Sequence, residues 1–308
     1  MRVQVSPAAQ LMSKPKIIVV VGPTASGKTS LSIELAKRFD GEVISADSRQ
    51  VYKGLDIGSA KVTAAEMEGI PHHLLDVADP REVYTAADFK RDAILAIEDI
   101  LSRGMVPIIA GGTFFYIDAL LGRVSLPEVP PNEELRAELE TKSAEELFTM
   151  LKALDPKRAG NIERDNPRRL IRAIEIAKAL GHVPPSEETE CPYDVLTIGL
   201  EVDMGVHGEI IKKRLIERLE AGMLEEVKGL LASGVTHERL ESFGLEYRYL
   251  SRYLQGTIEY DAMVDELSIK IRQFAKRQMS WLKRDSSIKW FKRDDDSISD
   301  VVRDFLSS

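Results

Sequence analysis

The stretch IIVVVGPTASGKTS, residues 17–30, joins an apolar run to a glycine loop that ends in Lys-Thr. Residues 22–29 match the pattern G-x-x-x-x-G-K-[ST]. The run before the loop has branched apolar side chains on both faces, which is typical of a central parallel strand. The apolar spacing after the loop predicts a helix over residues 28–39. A glycine loop between such a strand and such a helix binds phosphate.

The chemistry of this loop predicts a diphosphate or triphosphate ligand. Backbone N–H groups and the helix N-terminus attract the anion, Lys28 adds a positive charge, and Thr29 offers a hydroxyl to Mg²⁺. The residues assigned to the phosphate site are Gly22, Pro23, Thr24, Ala25, Ser26, Gly27, Lys28 and Thr29. The loop does not say whether the phosphate is transferred or released.

Strands and helices alternate after this motif. EVISAD, residues 42–47, is predicted as a second strand, residues 86–103 as a helix, and MVPIIAGGT, residues 105–113, as another strand that opens into a helix. This alternation predicts an α/β fold, a P-loop NTPase-like doubly wound parallel sheet. Ligands then gather at the carboxyl ends of the strands.

Two proline-rich connectors, residues 125–134 and 182–192, enclose three helical patterns. Because DVLTIGLEV after the second connector reads as a return to the sheet, residues 126–190 are predicted to be an inserted small helical subdomain. The P-loop core domain is then 15–125 and 191–308. Within its second part, helices are predicted at 205–234 and 261–284, followed by a late strand in SIKWF and a closing helix in DVVRDFL.

Composition bounds the class of protein. The 308 residues are 44% hydrophobic and 30% charged, the profile of a folded chain, and no apolar run approaches the roughly 20 residues that span a bilayer. Residues 1–14 show no signal-peptide or anchor pattern and are predicted to be a disordered lead-in. Cys191 is the only cysteine, which excludes an intramolecular disulfide and a thiolate metal cluster. We expect a cytoplasmic, monomeric protein without membrane contact.

Charge is unevenly distributed. The net charge of −8 by itself argues against a nucleic-acid partner. Residues 270–284, however, contain six basic residues and no acidic one, and residues 157–178 contain seven basic and three acidic residues. Since salt screens over about 8 to 10 Å, such patches can bind a polyanion despite the total.

Two further side chains are candidates for chemistry. Asp47 follows the second predicted strand, where its carboxylate can hold the water shell of a metal or accept a proton from a substrate. Thr113 follows Gly111 and Gly112 at the end of another strand and can donate to a phosphate oxygen. A turn residue for Asp47 and a plain helix N-cap for Thr113 are the structural alternatives.

The chain resembles the bacterial tRNA dimethylallyltransferases, the delta-2-isopentenylpyrophosphate transferase family, over nearly all of residues 15–284. The motifs that carry the resemblance, in order, are GPTASGKT, ISADSRQVYKGLDIGSAK, IPHHLLDV, YTAADF, GGTFFY, NPRRLIRAIE and RQFAKRQMSWLKR. The resemblance implies that the loop holds the diphosphate of dimethylallyl diphosphate and that pyrophosphate leaves. The prenyl group would pass to the exocyclic amine of the adenosine 3′ of the anticodon, in tRNAs reading codons that begin with U. Mg²⁺ is the implied cofactor, and ATP is not consumed.

The same resemblance assigns roles to residues. Asp47 would be the base, and Lys28 and Thr113 would stabilise the leaving pyrophosphate. The residues assigned to the anticodon stem-loop are Asp47, Ser48, Arg49, Gln50, Thr113, Arg168, Arg169, Arg172, Arg272 and Lys276. Arg168, Arg169 and Arg172 share a helical face suited to phosphates, although a solvated face is the alternative.

The sequence departs from the family pattern in two places. Family members usually show a compact I-G-Y-[KR] turn, whereas this chain reads ESFGLEYRYL, residues 241–250. Arg248 is the candidate for the basic residue of that turn, as a diphosphate or tRNA contact. Ile271 stands where a hydroxyl residue commonly precedes the R-Q pair.

Other interpretations stay open. The stripe Leu267, Ile271, Phe274, Gln278 and Trp281 recurs at helical spacing and is predicted to be core, with Arg272, Lys276 and Lys283 on a different face. The adjacent His72 and His73 lack a carboxylate at metal-ligand spacing, so a histidine metal site is not expected.

The rival functions are prenylation of a free adenine nucleotide, phosphoryl transfer by a small-molecule P-loop kinase, and non-catalytic RNA binding. The inserted subdomain and the basic stretches favour tRNA over a free nucleotide. No hydrophobic run ending in Asp, typical of Mg²⁺-ATPases, is present.

Overall fold

The computed structural model describes residues 14–185 and 188–308. The lead-in predicted for residues 1–14 therefore lies outside the described residues except for Lys14. Two compact units are present: one comprises the described parts of Met1–Leu121 and Glu190–Ser308, and the other is Gly122–Thr189. None of the described helices is both long enough and apolar enough to cross a membrane.

Six parallel strands form one sheet in the first unit, in the order β3-β2-β4-β1-β5-β6. The strands are Lys16–Val21 (β1), Gly41–Ser45 (β2), His72–His73 (β3), Val106–Ala110 (β4), Asp194–Leu200 (β5) and Lys289–Phe291 (β6). β1 lies between β4 and β5, and Ile18 is in register with Ile108 on one side and Leu196 on the other. The carboxyl ends of β1, β2 and β4 therefore meet at one edge of the sheet.

Helices surround the sheet and extend beyond it. Those of the first unit are Lys28–Arg38 (α1), Ala64–Met67 (α2), Ala86–Ser102 (α3), Phe114–Leu120 (α4), His207–Glu220 (α9), Met223–Ala232 (α10), His237–Ser242 (α11), Leu245–Leu254 (α12), Tyr260–Leu282 (α13) and Ser297–Ser307 (α14). Those of the second unit are Glu133–Glu140 (α5), Ala144–Leu154 (α6), Pro156–Ala159 (α7) and Pro167–Leu180 (α8).

Alternate residues of β1 face opposite helix layers. Ile17 and Val19 pack in a cluster with Phe89 of α3, whereas Ile18 and Val20 pack in a cluster with Leu35 of α1. A strand covered on both faces must be apolar at every position, which explains the continuous run before the glycine loop. The predicted doubly wound parallel sheet is confirmed.

The C-terminal helices build a third cluster. It includes Leu215 of α9, Val227 of α10, Leu250 of α12 and Leu267 of α13. The helical structure predicted over residues 205–234 is confirmed as two helices, α9 and α10, which are separated at Gly222, where the chain takes a left-handed conformation (φ 100°). The short helices α2, α7 and α11, the helix α12 and the strand β3 were not predicted.

Helix α13 is core on one side only. Leu267, Ile271 and Gln278 are buried, but Phe274 and Trp281 are 41% and 39% exposed. The prediction that these two aromatic residues belong to the core is therefore wrong: both lie at the border of the buried stripe. Trp281 stacks there on Phe114, with ring centroids 4.9 Å apart and planes 4° from parallel.

The second unit has its own small core. Leu139 of α5, Leu147 and Leu151 of α6, and Leu170 and Ile174 of α8 pack together. Asn166 caps α8 by accepting from the N–H of Arg169, and Pro167 occupies the first turn, where its missing N–H costs no hydrogen bond. The helices predicted at 132–141, 144–153 and 167–180 are confirmed.

Candidate active site

The glycine loop turns sharply between β1 and α1. Gly27 has φ 87°, and a Cβ at this position would lie 3.0 Å from the side chain of Arg293. The ammonium of Lys28 donates to the carbonyl of Pro23 at 2.8 Å, so that this carbonyl already has a partner. The backbone N–H groups of residues 25–28 donate to no described group. They are therefore available to an anion.

A cleft of about 570 Å³ opens beside this loop. It lies at the carboxyl edge of the sheet, where a doubly wound fold places its ligand. Its walls include Thr24, Ser26, Gly27, Lys28, Thr29, Asp47, Ser48, Arg49, Gln50, Gly111, Gly112, Thr113, Arg214, Gly244, Glu246, Ile271, Phe274 and Gln278. The sequence-predicted residues of the glycine loop, of segment 47–50 and of the GGT segment thus share one cavity.

Three cations line the cleft. Burial lowers the pKa of Lys28 to about 8, with Asp47 opposing and Arg214 adding to the shift. Burial also lowers the pKa of Arg49 and of Arg214. None of the three forms an ion pair with a side chain in residues 14–185 or 188–308. Lys28 and Arg49 are half-buried, and Arg214 stands at the exposed side of the cleft. Positive charge that no side chain pairs is what a bound polyanion would stabilise.

Asp47 follows β2 and faces the same cleft. Its Oδ1 accepts from the N–H of Arg49 at 2.8 Å and from the N–H of Gln50 at 3.4 Å. Its Oδ2 has no hydrogen-bond partner among the described residues. The turn-residue alternative is thus correct for one carboxylate oxygen, while the other remains able to accept a proton.

Thr113 connects the end of β4 to the segment after β2. Its hydroxyl accepts from the N–H of Ser48 at 2.9 Å and donates to the hydroxyl of Ser48 at 3.2 Å. It begins α4 without capping that helix through its side chain. The close approach requires Gly111, where a Cβ would lie 2.1 Å from the carbonyl oxygen of Ala46.

Gln50 is held by protein partners on both sides of its amide. Its Oε1 accepts from the hydroxyl of Ser45 at 3.0 Å, and its Nε2 donates to the carbonyls of Ser59 and Ala60. Arg49 donates to the carbonyl and hydroxyl of Ser48, both at 3.1 Å. Segment 47–50 is therefore fixed internally and presents Asp47 at a defined position.

The loop can also supply oxygen ligands to a cation. The hydroxyl of Ser26 is buried and has no hydrogen-bond partner, Thr29 is exposed in the same cleft, and Asp47 adds a carboxylate. Hydroxyl and carboxylate oxygens fit Mg²⁺, which binds through few protein ligands, retained water and substrate phosphates. No group of three or more His, Cys, Asp or Glu side chains suited to a metal occurs in the described part of the chain.

Several predicted site residues lie outside this cleft. Arg248 donates to the carbonyl of Glu241 at 2.9 Å and pairs with its carboxylate at 3.0 Å, so the structure does not bring it to the glycine loop. Arg272 and Lys276 are exposed on α13 and do not line the cavity. Gly244, in contrast, lines the cavity. The ESFGLEYRYL segment forms the start of α12 rather than a compact turn.

The arginines of α8 belong to the second unit. Arg172 donates to the carbonyl of Val129 at 2.8 Å and lies 3.4 Å from the carboxylate of Glu175. Arg169 pairs with Glu163 at 3.0 Å, whereas Arg168 is exposed and forms no ion pair with a described residue. Arg168 is thus the member of this group with an unpaired charge.

Sequence reasoning missed several cleft residues, among them Arg214, Glu246 and Gln278. Arg214 lies in α9, which carries many acidic and basic residues, so its sequence context is typical of a solvent-exposed helix face. Glu246 lines the cleft and pairs with Arg218 at 3.1 Å. Gln278 was assigned to the core stripe and is buried, yet its amide reaches the cleft. A polar residue within an apolar helical stripe was the available signal.

The sheet order and the glycine loop define a P-loop-like α/β protein, and the unpaired cations beside a carboxylate make its cleft a candidate polyphosphate site. The sequence profile of the IPP transferase family matches residues 50–285. The chain belongs to this family, and thus to the class of prenyl-transferring enzymes.

Relatives of known name agree over most of the chain. The tRNA dimethylallyltransferase 2 of Shewanella sediminis is 45% identical over 273 residues, 89% of this chain and 90% of the relative. The tRNA dimethylallyltransferase of Halalkalibacterium halodurans is 39% identical over 288 residues, 90% and 91% of the two chains.

Solved structures share the fold. The full-length tRNA isopentenylpyrophosphate transferase of Bacillus halodurans superimposes with a TM-score of 0.71 at 37% identity, covering 96% of each chain. A eukaryotic dimethylallyltransferase, described in snapshots of its action on tRNA, gives a TM-score of 0.78 at 28% identity, covering 95% of this chain and 80% of the other.

Proposed function

We propose that this protein transfers the dimethylallyl group of dimethylallyl diphosphate to the exocyclic amine of the adenosine 3′ of the anticodon, in tRNAs reading U-initial codons. The names of its relatives support the reaction and its RNA acceptor. The observation that carries the proposal is the shared cleft: the glycine loop, the unpaired cations and Asp47, whose Oδ2 accepts from no described residue, line one cavity.

The reaction breaks the bond between the allylic carbon and the diphosphate oxygen and forms a bond from that carbon to the adenine nitrogen. The departing pyrophosphate keeps the electron pair of the broken bond. Lys28, Arg214 and the N–H groups of residues 25–28 would stabilise its developing charge. Since these donors are already in place, little reorganisation accompanies departure.

Asp47 is the proposed base. An aromatic exocyclic amine is a poor nucleophile because its lone pair is delocalised, so proton removal as the new bond forms lowers the barrier. A positioned base typically contributes about 10² to 10⁴ in rate. Oδ1 is occupied by the N–H groups of Arg49 and Gln50, so Oδ2 would accept the proton.

Thr29, Ser26 and the substrate's own phosphate oxygens would hold Mg²⁺. When bound, this ion neutralises charge on the leaving pyrophosphate. The Thr113 hydroxyl has a positioning role in this proposal, because it is bonded to Ser48. Protein side chains perform the proton transfer and orient both substrates.

The acceptor is proposed to bind along α13 and segment 47–50. Lys270, Phe274, Arg277, Trp281 and Arg284 recur every three or four residues and form one exposed stripe. Phe274 of this stripe also lines the cleft. Unpaired cations alternating with exposed aromatic rings suit a single-stranded loop, whose phosphates and bases they can contact. Arg272 and Lys276 add charge on the adjoining face, and Arg168 on the second unit is a further candidate.

The target adenine must leave the stack of the anticodon loop to reach Asp47. Extrusion of a base costs roughly a few kcal/mol. We propose that contacts to the neighbouring nucleotides offset this cost. Cytoplasmic location and a monomeric state are part of the proposal, because tRNA is the acceptor and the residues proposed for both substrates belong to one chain.

The decisive experiment mixes the protein, Mg²⁺, dimethylallyl diphosphate and unmodified tRNA, and measures the prenylated nucleoside by mass. Asp47→Asn should lose most turnover and still bind pyrophosphate, because the amide keeps the shape of the carboxylate but cannot take the proton. Parallel reactions with adenosine monophosphate as acceptor, or with labelled ATP as donor, distinguish the free-nucleotide and kinase alternatives. Prenylation of the mononucleotide but not of tRNA, or phosphoryl transfer without prenyl transfer, contradicts the proposal.

A further inference from the structure

Two side chains that take no part in the proposed chemistry bind the backbone of Thr24 in the glycine loop. The N–H of Thr24 donates to Oε1 of Gln278 at 3.0 Å. The carbonyl of Thr24 accepts from Nε2 of His207 at 2.9 Å. His207 begins α9 and Gln278 lies in α13, so two helices distant in sequence hold both polar groups of one loop residue.

Both side chains are removed from solvent. His207 is 1% exposed and Gln278 is 6% exposed, so water cannot readily replace either hydrogen bond. A carbonyl can only accept, which requires the proton of His207 to sit on Nε2. Burial, together with the charges of Lys28 and Arg214, lowers the pKa of His207. The imidazole is therefore neutral at physiological pH, and its tautomer is fixed by Thr24.

These contacts set the direction of the loop's peptide groups. The carbonyl of Pro23 is bonded to Lys28 and the next carbonyl, that of Thr24, is bonded to His207. With two successive carbonyls held by these partners, the N–H groups of residues 25–28 remain free for the diphosphate. An isolated glycine loop could rotate these peptides and present carbonyl oxygens to the anion instead.

Gln278 has a second contact. Its Nε2 donates to the carbonyl of Gly112 at 3.2 Å, immediately before Thr113. Through one amide, the glycine loop that binds the leaving group is joined to the segment that orients Ser48 and hence Asp47. The distance between the two halves of the site thus depends on this side chain.

We propose that His207 and Gln278 are positioning residues that hold the glycine loop in its diphosphate-binding conformation. This inference rests on the proposed function, since the ligand is a diphosphate. Neither residue touches the reacting atoms. Their effect is on the affinity for the diphosphate and, for Gln278, also on the alignment of the two halves of the site.

Binding of inorganic pyrophosphate, measured by calorimetry on the full chain, tests His207 without requiring catalysis. His207→Ala should weaken binding about tenfold, the effect of losing one buried hydrogen bond. His207→Gln, whose amide nitrogen can occupy the place of Nε2, should bind within about threefold of wild type. His237→Ala is the matched control, because His237 bonds to Ser251 at 2.8 Å and does not line the cleft.

Gln278→Met tests both contacts of this side chain without adding a charge to the anion site. We expect the Met variant to weaken pyrophosphate affinity and to lower kcat, because it loses the acceptor for Thr24 and the donor for Gly112. Combined with His207→Ala, the Met variant should show less than additive loss, because either change frees the same loop residue.

Several outcomes overturn the inference. One is wild-type pyrophosphate affinity in folded His207→Ala and Gln278→Met proteins, with folding checked by thermal unfolding. A second is a rise in KM for the RNA as large as the loss of pyrophosphate affinity, which would indicate a general loss of structure. If the alanine variant does not fold, failure of His207→Gln to bind pyrophosphate contradicts the role. If wild type and the variants bind pyrophosphate in the expected order of affinity, but wild type transfers no prenyl group, the proposed function is refuted and this inference remains supported.

Discussion

The hydroxyl of Thr113 accepts a hydrogen bond from the backbone N–H of Ser48 at 2.9 Å, so the segment after β4 fixes the segment after β2. Asp47 directly precedes Ser48, and its Oδ1 is held by the next N–H along the chain. The orientation of the free Oδ2 therefore depends on a residue that never needs to touch the substrate. Variants of Thr113 can therefore test proton removal separately from diphosphate binding.

Thr113→Val removes the hydroxyl and preserves the shape of the side chain. We expect kcat to fall about tenfold, corresponding to roughly 1.4 kcal/mol, while the affinity for pyrophosphate stays near wild type. Thr113→Ser, which keeps the hydroxyl, should recover most of kcat. Steady-state kinetics together with pyrophosphate titration provides the measurement. A valine variant that loses pyrophosphate affinity would instead support the direct contact to the leaving group expected from sequence.

The affinity for pyrophosphate should depend on pH through Lys28. Burial lowers the pKa of this amine to about 8, so the free protein loses its positive charge as pH rises through 8. Because pyrophosphate itself ionises in this range, the quantity to compare is the affinity of wild type relative to Lys28→Arg, which should be constant between pH 6 and 7 and should then fall above pH 8, by at most about tenfold per pH unit. Because the bound anion favours the charged amine, calorimetry in buffers of different ionisation enthalpy should detect more proton uptake by wild type than by Lys28→Arg at pH 8.5, and little difference between them at pH 6.5.

Lys28→Arg is the control for this effect, because a guanidinium stays protonated across the range. A variant that still binds pyrophosphate should keep only the pH dependence that comes from ionisation of pyrophosphate itself. Persistence of the same dependence in Lys28→Arg would assign it to another group.

The fold and the centre of the site were predictable because their signals are local. A strand, a glycine loop and a helix N-terminus follow one another within residues 17–39, and the loop chemistry is contained in them. Asp47 and Thr113 were placed together by one rule, that parallel strands end at the same edge of the sheet. Neither inference required knowledge of how distant helices pack.

What could not be predicted depends on tertiary contacts. Arg214 resembles its solvent-facing neighbours in sequence and becomes a site residue only because α9 packs beside the glycine loop. Arg248 was placed by a motif, but the start of α12 at Leu245 directs it to Glu241. Phe274 and Trp281 fit the apolar stripe by spacing, yet the stripe is wider than the surface that covers it. Periodicity indicates which face of a helix is buried, but not how much of that face the neighbouring elements cover.

The exposed ring of Trp281 should contribute to RNA binding. It stacks on Phe114 and lies between Arg277 and Arg284 on the stripe of α13, so an unstacked base could extend the pair. Trp281→Ala should weaken binding of an anticodon stem-loop by about tenfold, in line with roughly 1–3 kcal/mol for stacking on one base. Pyrophosphate affinity should not change.

The charges of the same stripe should act without sequence preference. Arg277→Gln is expected to weaken binding of every RNA tested and to reduce the salt dependence of binding by about one phosphate contact. Fluorescence anisotropy over a range of salt concentrations distinguishes this effect from that of Trp281→Ala. Unchanged RNA affinity in both variants would direct the search for the acceptor surface to another face.

Glu226 should be important for stability because its carboxylate accepts hydrogen bonds from the backbone N–H groups of a whole turn. Its carboxylate accepts from the N–H groups of Asp56, Ile57 and Gly58 and from the hydroxyl of Tyr247, at 2.6 to 3.0 Å. Glu226→Gln places an amide N–H against these donors and should lower the free energy of unfolding by about 2–3 kcal/mol. Tyr247→Phe removes only one of the four bonds and should cost about 1 kcal/mol. Denaturant unfolding measures both, and an equal loss in the two variants would contradict this account.

Acid should destabilise the protein in part through Glu42, which is 3% exposed at the start of β2. Hydrogen bonds from Arg103, with a smaller contribution from His73, lower its pKa to about 2, although burial opposes the shift. A carboxylate with a lowered folded-state pKa stabilises the fold above its unfolded value, near 4.5, and this stabilisation disappears as pH falls from 4.5 towards 2. The contribution is on the order of 2 kcal/mol.

Arg103→Met should lower the free energy of unfolding at pH 7 and flatten its pH dependence below 4.5. Arg303→Met, in which an exposed arginine of α14 loses its pair with Asp300, should leave that dependence unchanged. Equal pH profiles for the two variants, measured by denaturant unfolding, would show that Glu42 does not control acid stability.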